Sequence, residues 1–292
     1  MEIYIWLTLG AAILHALSFT LAKRLWLHTG DPVEIVAFSQ IACAVLALPV
    51  LFWIRLEPLW QQAPTISAVC AGIVIAQFAF TQAMRTGDAS FVVAAMGLKL
   101  LVVAVLSAWW LDEIYHPLVY FGGLGALASL FLLSDGRPPK SMRAVFWVLV
   151  TCTLFAGIDV MIVHLLRHGL SVSALVVSVL VGPSAILLPL LLLRVSRHWS
   201  VDLPFGRDLS LYALTQVAGL VLLMLAFALS GKATIVNIVQ TSRALWVLPV
   251  VYVLSAWGLT GLEKLTSQQY RWRLAGGALM VLSLSAVIIA KP

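Results

Sequence analysis

Gly87-Asp88-Ala89-Ser90-Phe91-Val92 returns 144 residues later as Gly231-Lys232-Ala233-Thr234-Ile235-Val236. Ser107-Ala108-Trp109 returns as Ser255-Ala256-Trp257, 148 residues on, so about one helical turn separates the two registers. Glu113 followed by Gly122-Gly123 is echoed by Glu263 followed by Gly276-Gly277. A repeat of this length divides the chain into two related units, 1–138 and 139–292.

The residues around the repeated segments decide what each unit is made of. The 292 residues are 62% apolar and only 10% charged, against roughly 45–50% and 25% in a soluble domain. Thirty charged side chains cannot cover a soluble fold of this length, so lipid is the solvent for most of the chain. A membrane helix needs roughly 20 apolar residues, and ten such stretches are predicted at 3–22, 33–54, 65–84, 89–111, 117–134, 144–166, 172–194, 209–230, 234–257 and 272–290. They leave 78 residues for every connection and tail, too few for a soluble domain in any loop. Barrel strands alternate apolar and polar residues over about ten positions, whereas these runs are apolar for twice that length. The fold class is an all-α polytopic membrane protein of ten transmembrane helices. Five spans per unit is an odd number, so the second unit enters from the opposite face, giving two inverted five-helix repeats. Prolines 49, 183, 189 and 249 fall inside spans and are expected to shape them.

Counted with the flanking span ends, the connections after the first, third, fifth, seventh and ninth spans carry 12 Lys and Arg and the opposite side carries 4. This bias places both termini outside and residues 85–88 and 135–143 inside, in a multi-pass protein of the cytoplasmic membrane. The first apolar stretch lacks a basic lead and is long enough to span, so it is expected to stay as a helix. The net charge of +6 is spread singly between apolar runs, which argues for topology and against a nucleic-acid partner. Cys43, Cys70 and Cys152 lie singly in apolar runs with no metal-ligand spacing, and no metal or cofactor is expected. There is no HExxH, no Ser/His/Asp set and no nucleotide-binding loop, so the chain is read as a non-enzyme.

The loop Arg85-Thr86-Gly87-Asp88-Ala89-Ser90, the helix end Leu111-Asp112-Glu113 and the Gly-rich fifth span, repeated at Gly231, Glu263 and Gly276, resemble the drug/metabolite transporter superfamily, specifically its ten-helix EamA-like members. Leu14-His15-Ala16 through Lys23-Arg24 is similar to the first helix of one EamA-like branch. Two departures concern the subfamily: the family commonly has Leu-Gly-Glu at Leu111-Asp112-Glu113, and often a proline where this chain has Met96-Gly97. The resemblance implies transport of a small metabolite without naming it.

Ionisable groups deep in a membrane cost roughly 2.5–3.5 kcal/mol each and mark function by default. Four sit well inside spans: His15, Lys99, Asp159 and Arg243. Lys99 and Arg243 are equivalents at the 144-residue offset, so the pseudo-two-fold axis brings them to one depth on opposite walls of a cavity. Two facing cations are tolerable if water fills the cavity, if Asp159 partners one, or if an anion bridges them. Triose-phosphate transporters of the same superfamily are similar in using basic residues on the fourth and ninth helices for an anionic substrate. Asn237, Gln240 and Arg243 form a polar stripe at three-residue spacing in the ninth span, and Gln40 and Gln77 are further amides at depth. The expected substrate-binding set is Lys99, Arg243, Gln240, Asn237 and Gln77. Asp159 and His15 are candidates for proton coupling. The alternative for Asp159 is a salt bridge to Lys99 or Arg243 that only locks the two units together; the alternative for the stripe is an interhelical hydrogen-bond seam.

The function expected is a secondary transporter, exporter or exchanger, of a small organic anion or zwitterion by alternating access, as a monomer or homodimer. Its partners are the substrate, protons or a counter-substrate, and the lipid bilayer. A membrane-embedded lipid-modifying enzyme and a channel or scaffold are the competing classes.

Overall fold

Lipid offers no hydrogen bonds, so a long apolar backbone must satisfy its own N–H and C=O groups, and the helix does this within one segment. The computed structural model describes residues 2–26, 28, 31–53, 57–87, 92, 95–112, 116–133, 141–195, 203–256 and 267–289. These form helices and no strand. In chain order they are α1 (Ile3–Leu25), α2 (Pro32–Ala47), α3 (Glu57–Gln61), α4 (Ala63–Thr86), α5 (Lys99–Trp110), α6 (Pro117–Leu133), α7 (Met142–Arg167), α8 (Val172–Val195), α9 (Leu203–Ser230), α10 (Ala233–Gln240), α11 (Arg243–Ala256) and α12 (Ser267–Ile289). Asp31 caps α2 by accepting from the Val33 N–H at 2.8 Å, with Pro32 in the first turn where a missing N–H costs nothing. Ser141 caps α7 by accepting from Ala144 N.

Among the described residues six helices are long and apolar enough to cross a bilayer: Ile3–Leu25, Pro32–Phe52, Ala63–Thr86, Met142–Arg167, Val172–Pro189 and Leu203–Ser230. Met96–Trp110 is a shorter apolar helix. The fourth and ninth predicted spans are not single helices. A 3-10 turn at Met96–Leu98 precedes Lys99, and the turn Thr241–Ser242 separates α10 from α11. The cause is local. Gly97 weakens helix continuity in the first case, and in the second Thr241 Oγ1 donates to the Ile238 carbonyl at 2.6 Å while Ala244 and Leu245 bond three residues back. Pro49 acts similarly on α2, which gives way to a 3-10 helix at Leu48–Trp53, whereas Pro183 and Pro189 lie within one continuous α8.

Small residues set the packing. Along α4, Gly72, Ala76, Ala79, Ala83 and Gly87 form a stripe at helical spacing against α7, where a Cβ on Gly72 would touch Ile158 and one on Gly87 would lie 2.9 Å from the Ala144 Cβ. α1 runs antiparallel to α9 in the same manner: Gly10 meets Leu222, Leu14 and His15 meet Gly219, and Ser18 donates to Gln216 Oε1 at 2.8 Å. α2 packs on α8, where Ser184 Oγ donates to the Gln40 carbonyl, and α6 packs on α12 through Gly125 against Ser283 and Ser129 against Met280.

The two ends of α9 are tied differently. At its start Asp208, fully buried, meets Arg24 at 3.0 Å, His28 at 3.3 Å and Arg207 at 3.4 Å. At its far end Gly231 turns left-handed (φ +62°), and its carbonyl receives Nε and Nη2 of Arg167 at 3.0 and 2.6 Å, while Nη1 reaches the Leu111 carbonyl at 2.9 Å. Arg167 thereby satisfies carbonyls that helix ends leave without internal partners. Twenty-three residues of helix put these ties about 35 Å apart, close to the thickness of a bilayer core.

Candidate functional site

Midway between those ties lies a cavity of about 100 Å³, open on one side. Its wall draws on α1, α2, α4, α5, α7, α8, α9, α10 and α11. Six of the seven residues that the sequence marks line it: His15, Gln77, Lys99, Asp159, Gln240 and Arg243. Each of the four ionisable ones is less than a tenth exposed. Asn237 is not among them. It sits one turn before the α10–α11 break, and its amide nitrogen donates to the Ala233 carbonyl of its own helix at 3.0 Å, so the expected three-residue stripe is reduced to Gln240 and Arg243.

The helix breaks position both cations. Lys99 is the first residue of α5 and Arg243 the first of α11, each directly after a tightened turn.

Their partners differ. Lys99 Nζ lies 2.5 Å from Asp159 Oδ2 across the α5–α7 contact, a buried ion pair. Arg243 stacks over the Phe19 ring at 5.0 Å, and among the described residues no carboxylate lies within ion-pair distance of it. Phe19 in turn packs on Phe80, with ring centroids 4.9 Å apart. Gln240 Nε2 donates to His15 Nδ1 at 2.6 Å, which leaves His15 Nε2 and Gln240 Oε1 buried with no protein partner. A buried polar group left unmatched costs roughly 1–3 kcal/mol. Both unmatched atoms and the Arg243 guanidinium lie on the wall of the same cavity.

Sequence reasoning passes over three lining residues. Gln216 obeys the same rule that selects Gln77, a lone amide inside an apolar span, and it lines the cavity with Ser18 as its partner. Phe19 and Phe155 carry no signal, because aromatic residues are common on every face of a membrane helix. Among the described residues no cluster of three or more His, Cys, Asp or Glu is gathered to hold a metal ion.

Comparison with known proteins gives three findings. Residues 2–135 match the model of the EamA-like transporter family. No curated protein matches the sequence. A solved crystal structure superimposes with a TM-score of 0.72 at 14% identity, covering 98% of this chain and 97% of its own, a likeness that establishes the fold alone.

Proposed function

With residues 2–135 identified as an EamA-like transporter unit, a membrane protein of the drug/metabolite transporter kind, we propose that the whole chain is a secondary transporter, exporter or exchanger, of a small organic anion or zwitterion across the cytoplasmic membrane. Ten crossing segments form two inverted repeats, and the cavity is the substrate site. The observation that carries this reading is the matched placement of Lys99 and Arg243, each opening a helix after a break and both lining one cavity. Broken helices at a midplane site are a recurrent transporter device.

The packing supports the inverted plan. Exchanging the two units turns the α1–α9 contact into the α7–α4 contact, and it maps the α2–α8 and α6–α12 contacts onto themselves. Ser184 and Gln40, bonded to each other, stand 144 residues apart, the repeat offset itself. The site contacts follow the same exchange: His15 on α1 meets Gln240, and Asp159 on α7 meets Lys99. Rocking the two units about this axis opens the cavity to one face at a time. The ties at Asp208 and Arg167 sit where each opening would part the helices.

Counterflow tests the transport reading. Ligands found by thermal shift across a metabolite panel are loaded unlabelled into proteoliposomes, and labelled uptake is followed. Trans-acceleration is expected; chemical conversion of the ligand or its absence from the lumen would point to an enzyme or a scaffold. Orientation has its own test. Ser171→Cys, in the exposed turn after α7, is expected to react with an impermeant thiol reagent in intact cells, and Met142→Cys, exposed at the start of α7, only after lysis. The reverse pattern contradicts the loop-charge reading.

A further inference from the structure

The charge class of the substrate follows from the reading of this cavity as a substrate site, and it rests on that reading. Among the described residues four Lys, Arg, His and Asp side chains line the cavity, and their charges add to one. Lys99 and Asp159 cancel across 2.5 Å. His15 is neutral: the Gln240 amide nitrogen only donates, so His15 Nδ1 accepts, and the ring carries its proton on Nε2. Arg243 keeps a full charge, with Phe19 over one face and no carboxylate among the described residues within ion-pair distance; the Asp159 carboxylate that acts on it from further off is already paired with Lys99.

We infer that the cavity selects a monoanion, a singly charged carboxylate on an apolar body, over a zwitterion or a dianion. A buried guanidinium is stabilised by one compensating negative charge, and a carboxylate matches its fork of donors. The His15 Nε2–H, which has no protein acceptor, supplies a further donor in the same cavity. A dianion brings one negative charge too many into a buried, mostly apolar space. An amino acid brings an ammonium group, and the cavity's one carboxylate is already held by Lys99. Gln240 Oε1 accepts a hydrogen bond but balances no charge. The rest of the wall, including Ile73, Ile158, Ile162, Leu180 and Leu223, is aliphatic and suits a branched hydrocarbon body.

The test is a set of four probes with nearly the same body, bound to the purified protein at pH 8: 4-methylpentanoate, leucine, 4-methylpentanamide and isopentyl phosphate. The carboxylate is expected to bind at least about tenfold more tightly than the other three, as a charged hydrogen-bonded pair gained or lost would give. Lys99→Gln frees Asp159 and brings the pocket to net zero, so the preference is expected to turn towards leucine. A purely structural role for Lys99 would weaken all four probes alike. If Lys99→Gln does not fold, the ranking on the unaltered protein decides alone. Leucine or isopentyl phosphate ranking first, or silence from all four, overturns the monoanion assignment and leaves the transporter reading standing. Binding of 4-methylpentanoate without counterflow does the opposite: it keeps the charge count and removes the transporter reading.

Discussion

Arg243→Gln is expected to remove substrate binding and transport while the protein keeps its melting temperature to within a few degrees. The guanidinium stacks on the Phe19 face at 5.0 Å, and among the described residues no carboxylate lies within ion-pair distance of it. Glutamine keeps a polar, hydrogen-bonding end on a shorter stem and breaks no ion pair, so little stability is lost. A charged hydrogen bond to a ligand is worth about 1.5–3 kcal/mol, which corresponds to roughly a ten- to hundredfold loss of affinity. Thermal unfolding of the detergent-purified variant, measured with and without ligand, separates the two effects. Ligand stabilisation equal to that of the unaltered protein would show that the anion sits elsewhere.

Asp159→Leu is expected to have the largest effect on stability. It strands Lys99, 8% exposed, without its counter-charge, and breaking a buried pair from one side costs about 3–5 kcal/mol. The double variant Asp159→Leu with Lys99→Met is expected to recover most of that loss, because replacing a buried pair as a whole by apolar residues is close to neutral. Chemical denaturation or melting of the two variants is the measurement. A double variant no more stable than the single one would mean that Lys99 is not held chiefly by Asp159. The double variant keeps Arg243, so it also asks whether the ion pair is needed for transport or only for cohesion.

The contrast between those two residues shows what a sequence carries and what it does not. Lys99 and Arg243 are legible as a pair because they stand 144 residues apart, the offset of the repeated segments, each as an ionisable residue in an apolar run. Which cation takes Asp159 is not legible, since that depends on how α7 lies against α5. The helix breaks at Met96–Leu98 and Thr241–Ser242 also escape a hydropathy reading, because glycine, threonine and serine hardly interrupt an apolar window. For that reason spacing alone puts Asn237 on one face with Arg243, and the structure turns it onto its own helix instead. The tie of Asp208 to Arg24 and His28 joins residues about 180 positions apart, and no local pattern announces it. The match of Gly87 and Gly231 is legible, but their uses differ: Gly231 is left-handed and presents its carbonyl to Arg167, whereas Gly87 is extended and lets α4 approach Ala144.

The central claim is that one cavity serves both faces of the membrane, and Cys43 reports on it directly. This thiol lines the cavity and is 1% exposed. In a Cys70→Ala, Cys152→Ala background it is the sole reactive cysteine. Labelling with an impermeant maleimide in right-side-out and in inside-out vesicles is expected to proceed from both faces, slowly in each case, and to slow further when 4-methylpentanoate is present on the labelled side. Labelling from one face only, or from neither, would contradict alternating access through this cavity.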